Sequence, residues 1–353
     1  MTLRAVLLGY GLAGRVFHGP LIGAEPGIDL VAVVTSNPER QQQVRDDLPG
    51  TAVLSTAGEA WGGDFDLAVV ATANSAHVPQ ATAALNAGMH VVVDKPLAGS
   101  AAQAQGLIDL AQHRDRQLHV FQNRRWDSEI LTARDVIEQG LIGTPHRLES
   151  RFERWRPTPK GGWREEGPPE DLPGLLYDLG AHLVDQALHL LGPVTRVFAS
   201  VRAVREGMTA DDDTQIILQH ASGAVSMLSV SSASAFNEPR IRILGTGGGL
   251  RIDTLDTQED ALRAGRDPQD PEWGTEVDAA WLVAGAEPAR AIPRVAGAWP
   301  EYYRAVAQSI RGEGAPPVDP RDVVSDLRVI EAARESAETG RAIELDPPAG
   351  HVS

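Results

Sequence analysis

The sequence predicts an α/β chain in two parts. A doubly wound parallel sheet comes first, followed by an α+β domain with a large open, mainly antiparallel sheet. Three observations predict it. Apolar β-branched runs alternate with helical patterns through the first third of the chain. A glycine-rich turn separates the first run from the first helix. After about Phe121, strand-like segments follow one another across short turns. Alternation implies parallel strands with helices on both faces, and successive strands imply antiparallel pairing.

The strands of the first part are expected at Ala5–Leu8, Leu30–Val34, Leu67–Ala71, His90–Val93 and Leu118–Phe121. Helices are expected between them at Ala13–Leu21, Pro38–Asp47, His77–Ala87 and Ala101–Arg114. Asn86-Ala87-Gly88 reads as a helix end closed by a left-handed glycine. The second part should hold strands at His146–Arg154, Thr195–Val204, Thr214–Gln219, Ala224–Val230, Arg240–Leu244 and Leu250–Asp253. Val204–Asp213 and Gly245–Gly249 read as hairpin connections. The glycines at 245–249 lie between two strands, so no helix N-terminus is there to hold a phosphate. Leu175–Leu191 is a helix apolar almost all round and closed by Gly192-Pro193. Residues 255–298, rich in Gly, Pro, Asp and Ala, read as loop-heavy; Tyr302 and Tyr303 begin a helix as core residues, and Val323–Thr339 is helical. The expected boundary falls after residue 122, giving a first domain at 1–122 and a second at 123–353.

Bulk properties narrow the function. The net charge of −16 over 353 residues opposes a nucleic-acid partner, which needs a basic surface. The chain has no cysteine, which excludes disulfides, thiolate nucleophiles, iron–sulfur clusters and thiolate zinc sites. No run of about 18 apolar residues predicts a membrane span. The N-terminus enters a strand directly, without a signal peptide's layout, so a cytoplasmic protein is expected.

Gly9-Tyr-Gly11-Leu-Ala-Gly14 follows a strand and opens a helix. The first glycine permits the tight turn, the second lets the backbone approach a pyrophosphate, and the third lets helix and strand pack closely. Gly9, Gly11, Leu12, Ala13 and Gly14 are therefore expected cofactor contacts. The acid that would bind the NAD ribose, expected at the end of the second strand, is absent: Thr35-Ser36-Asn37-Pro38-Glu39-Arg40 stands there instead. Ser36 and Asn37 offer neutral donors, and Arg40 lies one turn into the next helix, which favours NADP while leaving NAD open. Thr72, Asn74 and His77 fall where a loop would pass the nicotinamide, although Asn74 and His77 also suit the start of a helix. Asp94-Lys95-Pro96 follows a buried parallel strand, which brings a lysine to the mouth of the crevice, and all three are expected cofactor contacts.

The helix at Leu175–Leu191 carries Asp178, His182, Asp185 and His189 in one stripe. A solvated face is the ordinary reading of such a stripe, but a helix this apolar is expected to be buried, and buried ionisable groups need partners. Oxidising a secondary alcohol requires a group to take the hydroxyl proton, a task that suits His182. Asp178 would orient the substrate or support the imidazolium, and Lys95 would bind the reacting oxygen or share the proton relay. Asp185 and His189 are expected to be structural. Two histidines and two acids could also ligate a metal, but the Lys95 cation opposes that, so no metal is expected.

Together the Gly9–Gly14 turn, Asp94-Lys95-Pro96 and Gly174-Leu-Leu-Tyr-Asp178-Leu-Gly180-Ala-His182-Leu-Val-Asp185 resemble the Gfo/Idh/MocA oxidoreductase family across essentially the whole chain. Asp94 stands where that family writes glutamate, and Ala73 where it commonly has proline. The resemblance implies an N-terminal Rossmann domain, catalytic positions at Lys95, Asp178 and His182, and an open sheet that serves as an interface in a homodimer or homotetramer. Gly11-Leu-Ala-Gly-Arg-Val-Phe-His18 and Phe121-Gln-Asn-Arg-Arg-Trp-Asp127 are similar to the branch that contains NADP-dependent scyllo-inositol dehydrogenases.

A polyol or sugar substrate needs planar hydrogen-bonding groups and a ring surface. Asn123, Arg125 and Trp126 in one segment, and Trp163 and Arg164 in a second, are the candidates beside Lys95, Asp178 and His182. The tryptophans serve equally as packing between domains. Two rival functions remain: an NAD-dependent glycosidase that oxidises, eliminates and reduces, and a non-catalytic NADP-binding sensor. The joint presence of Lys95, Asp178 and His182 weighs against the sensor.

Overall fold

The computed structural model describes residues 2–236 and 238–346, apart from the side chains of Trp163 and Arg164. The chain divides into two compact units. The first comprises Met1–Asn123, Gln258–Trp273 and Ala298–Val324; the second comprises Arg124–Thr257, Gly274–Gly297 and Ser325–Ser353. The first continuous run thus ends beside the boundary read from the sequence. Two later segments also belong to the first unit, where the sequence reading gave them to the second.

In the first unit, β1 (Leu3–Leu8), β2 (Ile28–Val34), β3 (Ala52–Leu54), β4 (Leu67–Val70), β5 (His90–Asp94) and β6 (Leu118–Phe121) form a parallel sheet. Their order is β3-β2-β1-β4-β5-β6. The order reverses between β1 and β4, so the ligand crevice is expected beyond the carboxyl ends of these two strands. Gly9 follows β1 and Thr72 follows the end of β4, while Thr35 and Lys95 follow β2 and β5. The segments that carry the sequence-predicted cofactor residues therefore all begin at the carboxyl ends of strands of one sheet. β3 was not anticipated: it has three residues, none fully buried, and is too short to show a period.

The segment 258–273 was read as loop, yet it contains a helix at Gln258–Arg263. The helix Pro300–Ile310 brings Tyr302 and Tyr303, both fully buried, against Phe121 at ring-centroid distances of 5.0 and 6.0 Å.

The second unit holds β7 (Pro145–Glu153), β8 (Val194–Arg202), β9 (Asp213–His220), β10 (Val225–Ser231), β11 (Ile241–Gly245), β12 (Gly248–Ile252), β13 (Ala280–Ala284), β14 (Arg290–Ile292) and β15 (Ile343–Glu344). These form one nine-stranded sheet in the order β14-β13-β12-β11-β7-β10-β9-β8-β15. All neighbours are antiparallel except β7 and β10, which run parallel. β13 and β14 lie in the stretch read as loop-heavy; short strands embedded in Gly- and Pro-rich sequence leave too little pattern to read. A helix at Ser128–Glu138, with Ile130, Ala133 and Val136 buried, was also not anticipated. Among the described residues, no helix is long and apolar enough to cross a membrane.

Candidate active site

Backbone geometry explains two of the three glycines at the N-terminal turn. Gly9 has φ +95°, and a Cβ there would collide with the carbonyl of Ala71. A Cβ on Gly14 would collide with the carbonyl of Gly9, so the helix start can press on the strand end only without a side chain. Gly11 is different, because a Cβ there would meet nothing nearer than the Arg40 guanidinium at 3.8–3.9 Å. The fold itself leaves room at Gly11, which is what close approach of a pyrophosphate requires. Leu12, beside it, is 41% exposed. The turn leads into a π-helical segment, Ala13–His18. Such wider turns occur disproportionately at functional sites.

At the end of β2, Thr35 is buried and Ser36 is exposed. The Asn37 side-chain oxygen accepts the Arg40 N–H at 3.0 Å and caps the helix Pro38–Asp47, a bond that leaves the N–H donors of the same amide uninvolved. That cap fixes Arg40 one turn in. Its guanidinium has no ion-pair or hydrogen-bond partner among the described residues and lies over Gly11. Arg15, in the same region, is instead paired with Asp47 at 2.6 Å.

Beyond β4, the Thr72 hydroxyl donates to Gln80 at 3.0 Å. Asn74 is the first residue of the helix Asn74–Asn86, whose N-cap is Ala73. His77 was expected at the cofactor, but its ring is 1% exposed and faces backbone. Nδ1 lies 2.8 Å from the Pro96 carbonyl, and Nε2 lies 3.3 Å from the Thr72 carbonyl. Burial dominates and holds the His77 pKa below its ordinary value. A neutral ring has one N–H, which goes to Pro96, the nearer acceptor. His77 therefore ties the loop after β4 to the loop after β5.

Lys95 sits in that second loop, followed by a cis bond to Pro96. The Asp94 carboxylate accepts the Lys95 backbone N–H at 2.7 Å. Burial pushes the Asp94 carboxyl upward, but His18 and Lys95 outweigh it, and the group sits below the usual carboxylate range. Asp94 acts on the loop's own backbone; a direct cofactor contact is not its evident task.

In the second unit, Asp178 lies in a π-helical segment, Leu176–Gly180, which runs into the helix Ala181–Leu191. Asp178 is half-buried and His182 is 5% exposed. The helix packs on β7 and β10, as an all-round apolar surface requires. Its start is held by Asp211, which the sequence reading passed over. The Asp211 carboxylate accepts the Leu176 N–H at 2.8 Å and the Thr214 hydroxyl at 2.9 Å. Gly174 has φ +104°, and a Cβ there would strike that carboxylate. Burial, the largest effect, raises the Asp211 pKa. The available signal was Asp211-Asp212-Asp213, three acids together in a hairpin. Asp212 holds Arg205 at 2.7 Å, and Arg205 holds Glu165 at 2.8 Å. Glu165 accepts the backbone N–H groups of Lys160 and Gly161, both at 2.7 Å, and so orders the loop that precedes the helix.

The substrate candidates separate. Arg125 is 7% exposed, and its guanidinium grips Asp185 through Nε and Nη2, the latter at 2.6 Å. Its position is that of an internal brace for the Asp178–His182 helix, where a substrate contact was expected. Asn123 is buried and Trp126 is half-buried. The side chains of Trp163 and Arg164 lie outside the described residues.

A dinucleotide turn at the reversal of a β3-β2-β1-β4-β5-β6 sheet, in a chain with a separate open-sheet unit, is the architecture of a Rossmann-type oxidoreductase. Residues 3–122 match the family model for the oxidoreductase-family NAD-binding Rossmann fold, and residues 134–345 match the C-terminal alpha/beta domain of the same family. The chain belongs to the Gfo/Idh/MocA oxidoreductase family, whose members are nicotinamide-dependent enzymes. It is similar to scyllo-inositol 2-dehydrogenase (NADP(+)) IolW of Bacillus subtilis (strain 168), at 35% identity over 98% of this chain and 96% of that protein. It is also similar to D-apiose dehydrogenase of Paraburkholderia graminis, at 25% identity over 90% of this chain and 84% of that protein. The triclinic-form structure of yvaA from Bacillus subtilis superposes with a TM-score of 0.93, at 35% identity, covering 98% of this chain and 99% of that one.

Proposed function

We propose that this enzyme is an NADP-dependent dehydrogenase that transfers hydride between the nicotinamide and a secondary alcohol or ketone of a sugar or inositol. Arg40 carries the cofactor choice: a guanidinium without a partner among the described residues lies over Gly11, next to the end of a strand that lacks the ribose-binding acid. A 2′-phosphate suits a planar, bidentate cation, and the acid that would bind the ribose hydroxyls is missing from the end of this strand. The naming of relatives for scyllo-inositol and for D-apiose supports a polyol or sugar as substrate.

When bound, the cofactor supplies the hydride acceptor or donor. Gly9, Gly11, Leu12, Ala13 and Gly14 hold its pyrophosphate half, with Ser36 and Arg40 at the ribose phosphate and Thr72 and Asn74 toward the nicotinamide. Lys95 binds the reacting oxygen and lowers the barrier to its deprotonation, and Pro96 keeps its loop in place. His182 takes the hydroxyl proton during oxidation and returns it during reduction, while Asp178 orients the substrate and supports the imidazolium. Asn123 and Trp126, with Trp163 and Arg164, are the remaining substrate contacts.

The sheet of the second unit supports a homodimer or homotetramer. Phe198, Ile217 and Met227 are paired neighbours on adjacent strands, and each is more than 40% exposed. A continuous apolar patch of this kind on a sheet face suits a second copy of the chain.

The test has two parts. Titration by cofactor fluorescence is expected to give an NADPH Kd at least about tenfold tighter than that for NADH, about 1.4 kcal/mol, and Arg40→Ser should erase most of that gap. A reversed preference would overturn the role of Arg40. On a substrate identified from a polyol and sugar panel at both cofactors, Lys95→Met and His182→Ala should each lower kcat by about 100- to 10,000-fold while cofactor binding persists. Wild-type turnover in either variant would remove that residue from the mechanism.

A further inference from the structure

Both neighbours of Lys95 are held by buried histidines. His77 holds Pro96, as described above. The other histidine is His18, at the end of the π-helical segment that begins at Ala13 and includes Gly14. His18 is fully buried, and its ring stacks on Phe121 with centroids 4.2 Å apart. Nδ1 lies 2.6 Å from the Tyr303 hydroxyl, and Nε2 lies 3.8 Å from Asp94 Oδ2. The other oxygen of that carboxylate, Oδ1, accepts the Lys95 backbone N–H. A continuous series of contacts thus runs from Tyr303 through His18 and Asp94 to the backbone of Lys95.

Hydrocarbon side chains would pack this space without the desolvation that a phenol and an imidazole incur. Buried polar groups held by one another fix a more specific geometry instead: here the Tyr303 hydroxyl meets Nδ1, and the Asp94 carboxylate faces Nε2 as a charge at 3.8 Å, beyond hydrogen-bond distance. Tyr303 is kept a phenol, because burial and then the nearby Tyr302 and Asp94 push its pKa well above the ordinary value. A phenol can donate to Nδ1, which leaves the His18 N–H on Nε2, on the side of the Asp94 carboxylate. The titratable groups around this series are Asp94, Lys95, His77, Tyr302 and Tyr303.

We propose that His18 is a positioning residue for Lys95. Braced by Tyr303, it fixes the Asp94 carboxylate, and through it the Lys95 backbone, relative to the helix that starts at the glycine turn. This rests on the catalytic assignment of Lys95. His18 and Gly14 share one π-helical segment, so the pyrophosphate cradle and the lysine are referenced to the same rigid element. Nothing in the Gly-x-Gly-x-x-Gly pattern requires a histidine four residues beyond its last glycine. The geometry gives that histidine a task.

Nitrogen-15 NMR of the cofactor-free protein labelled at histidine tests the bond network directly. The His18 ring is expected as the Nε2–H tautomer with Nδ1 accepting, and Tyr303→Phe should move the Nδ1 resonance. Kinetics test the consequence. Tyr303→Phe should lower kcat by about ten- to hundredfold, the range for a misplaced catalytic group, and shift the pH profile of kcat. NADPH Kd and substrate KM should stay within about twofold, because uniform binding is untouched. His18→Phe should lower kcat at least as far, and the double variant should lose no more than His18→Phe alone, since the two residues act in series. Multiplicative losses, an unchanged kcat and pH profile in Tyr303→Phe, or an Nδ1–H tautomer for His18 would each overturn the proposal. If His18→Phe does not fold, the tautomer and Tyr303→Phe still decide. Lys95→Met separates the two layers: full activity there defeats the catalytic assignment, while loss there with no effect in Tyr303→Phe defeats only the bracing.

Discussion

The parallel sheet of the first unit and the nine-stranded sheet of the second use their faces in opposite ways. In β4 all four residues are buried, and in β5 the three valines are. In β9, burial alternates along the strand, with Thr214, Ile216, Leu218 and His220 inside and Gln215, Ile217 and Gln219 outside. A sheet filled on both faces has no face on which to place chemistry, so its ligand residues are displaced to the carboxyl ends of the strands. The second sheet spends one face on the helix that carries Asp178 and His182. On the other, one cross-strand row runs Phe198, Ile217, Met227, Glu149, Arg242, Arg251, Trp281. Four residues of that row are apolar and three are charged, so this face does not carry the continuous apolar layer that the inner face does.

One pair of substitutions breaks or sharpens this contrast. Val69→Asp puts an unpaired carboxylate between layers that exclude water and should destabilise the first unit by about 4 kcal/mol or more, enough to prevent folding. Ile217→Asp changes a similar side chain on the open face, and the isolated chain should lose no more than about 1 kcal/mol. Its effect should appear in assembly, with light scattering reporting a smaller oligomer than the wild type. Equal destabilisation by the two variants would show that the second sheet is also covered on both faces. An unchanged oligomer with an unchanged fold would remove Ile217 from the interface.

The same contrast explains what the sequence disclosed. Runs such as Val91-Val-Val were legible because a doubly covered strand must be apolar at every position, and the long alternating strands β8 to β10 were legible through their period of two. β3, β13 and β14 were not, because three to five residues do not establish a period. The glycine turn was readable because each glycine answers a separate steric demand. What escaped was long-range partnership. Arg125 looked like a substrate ligand until Asp185, 60 residues on, was seen to hold it. His77 looked like a cofactor contact until Pro96 was found at its Nδ1. Asp211 looked like hairpin filler, yet it caps the turn that carries Asp178. A polar residue announces that it needs a partner, but its sequence position does not say which partner it has.

His119 tests the double coverage of the first sheet most finely. It lies in β6 opposite Val92, is fully buried, and neither ring nitrogen has a hydrogen-bond partner among the described residues. Burial, reinforced by the nearby His90, lowers its pKa from 6.5 to about 3. The unfolded chain therefore takes up a proton near pH 6.5 that the folded chain refuses until about pH 3. Between those limits the unfolded state binds more protons, so this residue subtracts from stability as pH falls, by about 1.4 kcal/mol per unit. His119→Leu removes both the proton linkage and an unsatisfied buried polar group. It is expected to stabilise the protein by about 1 kcal/mol at pH 7.5, and the advantage should widen by about 1 to 1.5 kcal/mol at pH 5.5. Urea unfolding of the two proteins at both pH values checks this, since every other histidine cancels in the comparison. A gap that stays constant with pH would mean that the imidazole can be protonated in the fold, and hence that this face of the sheet admits water.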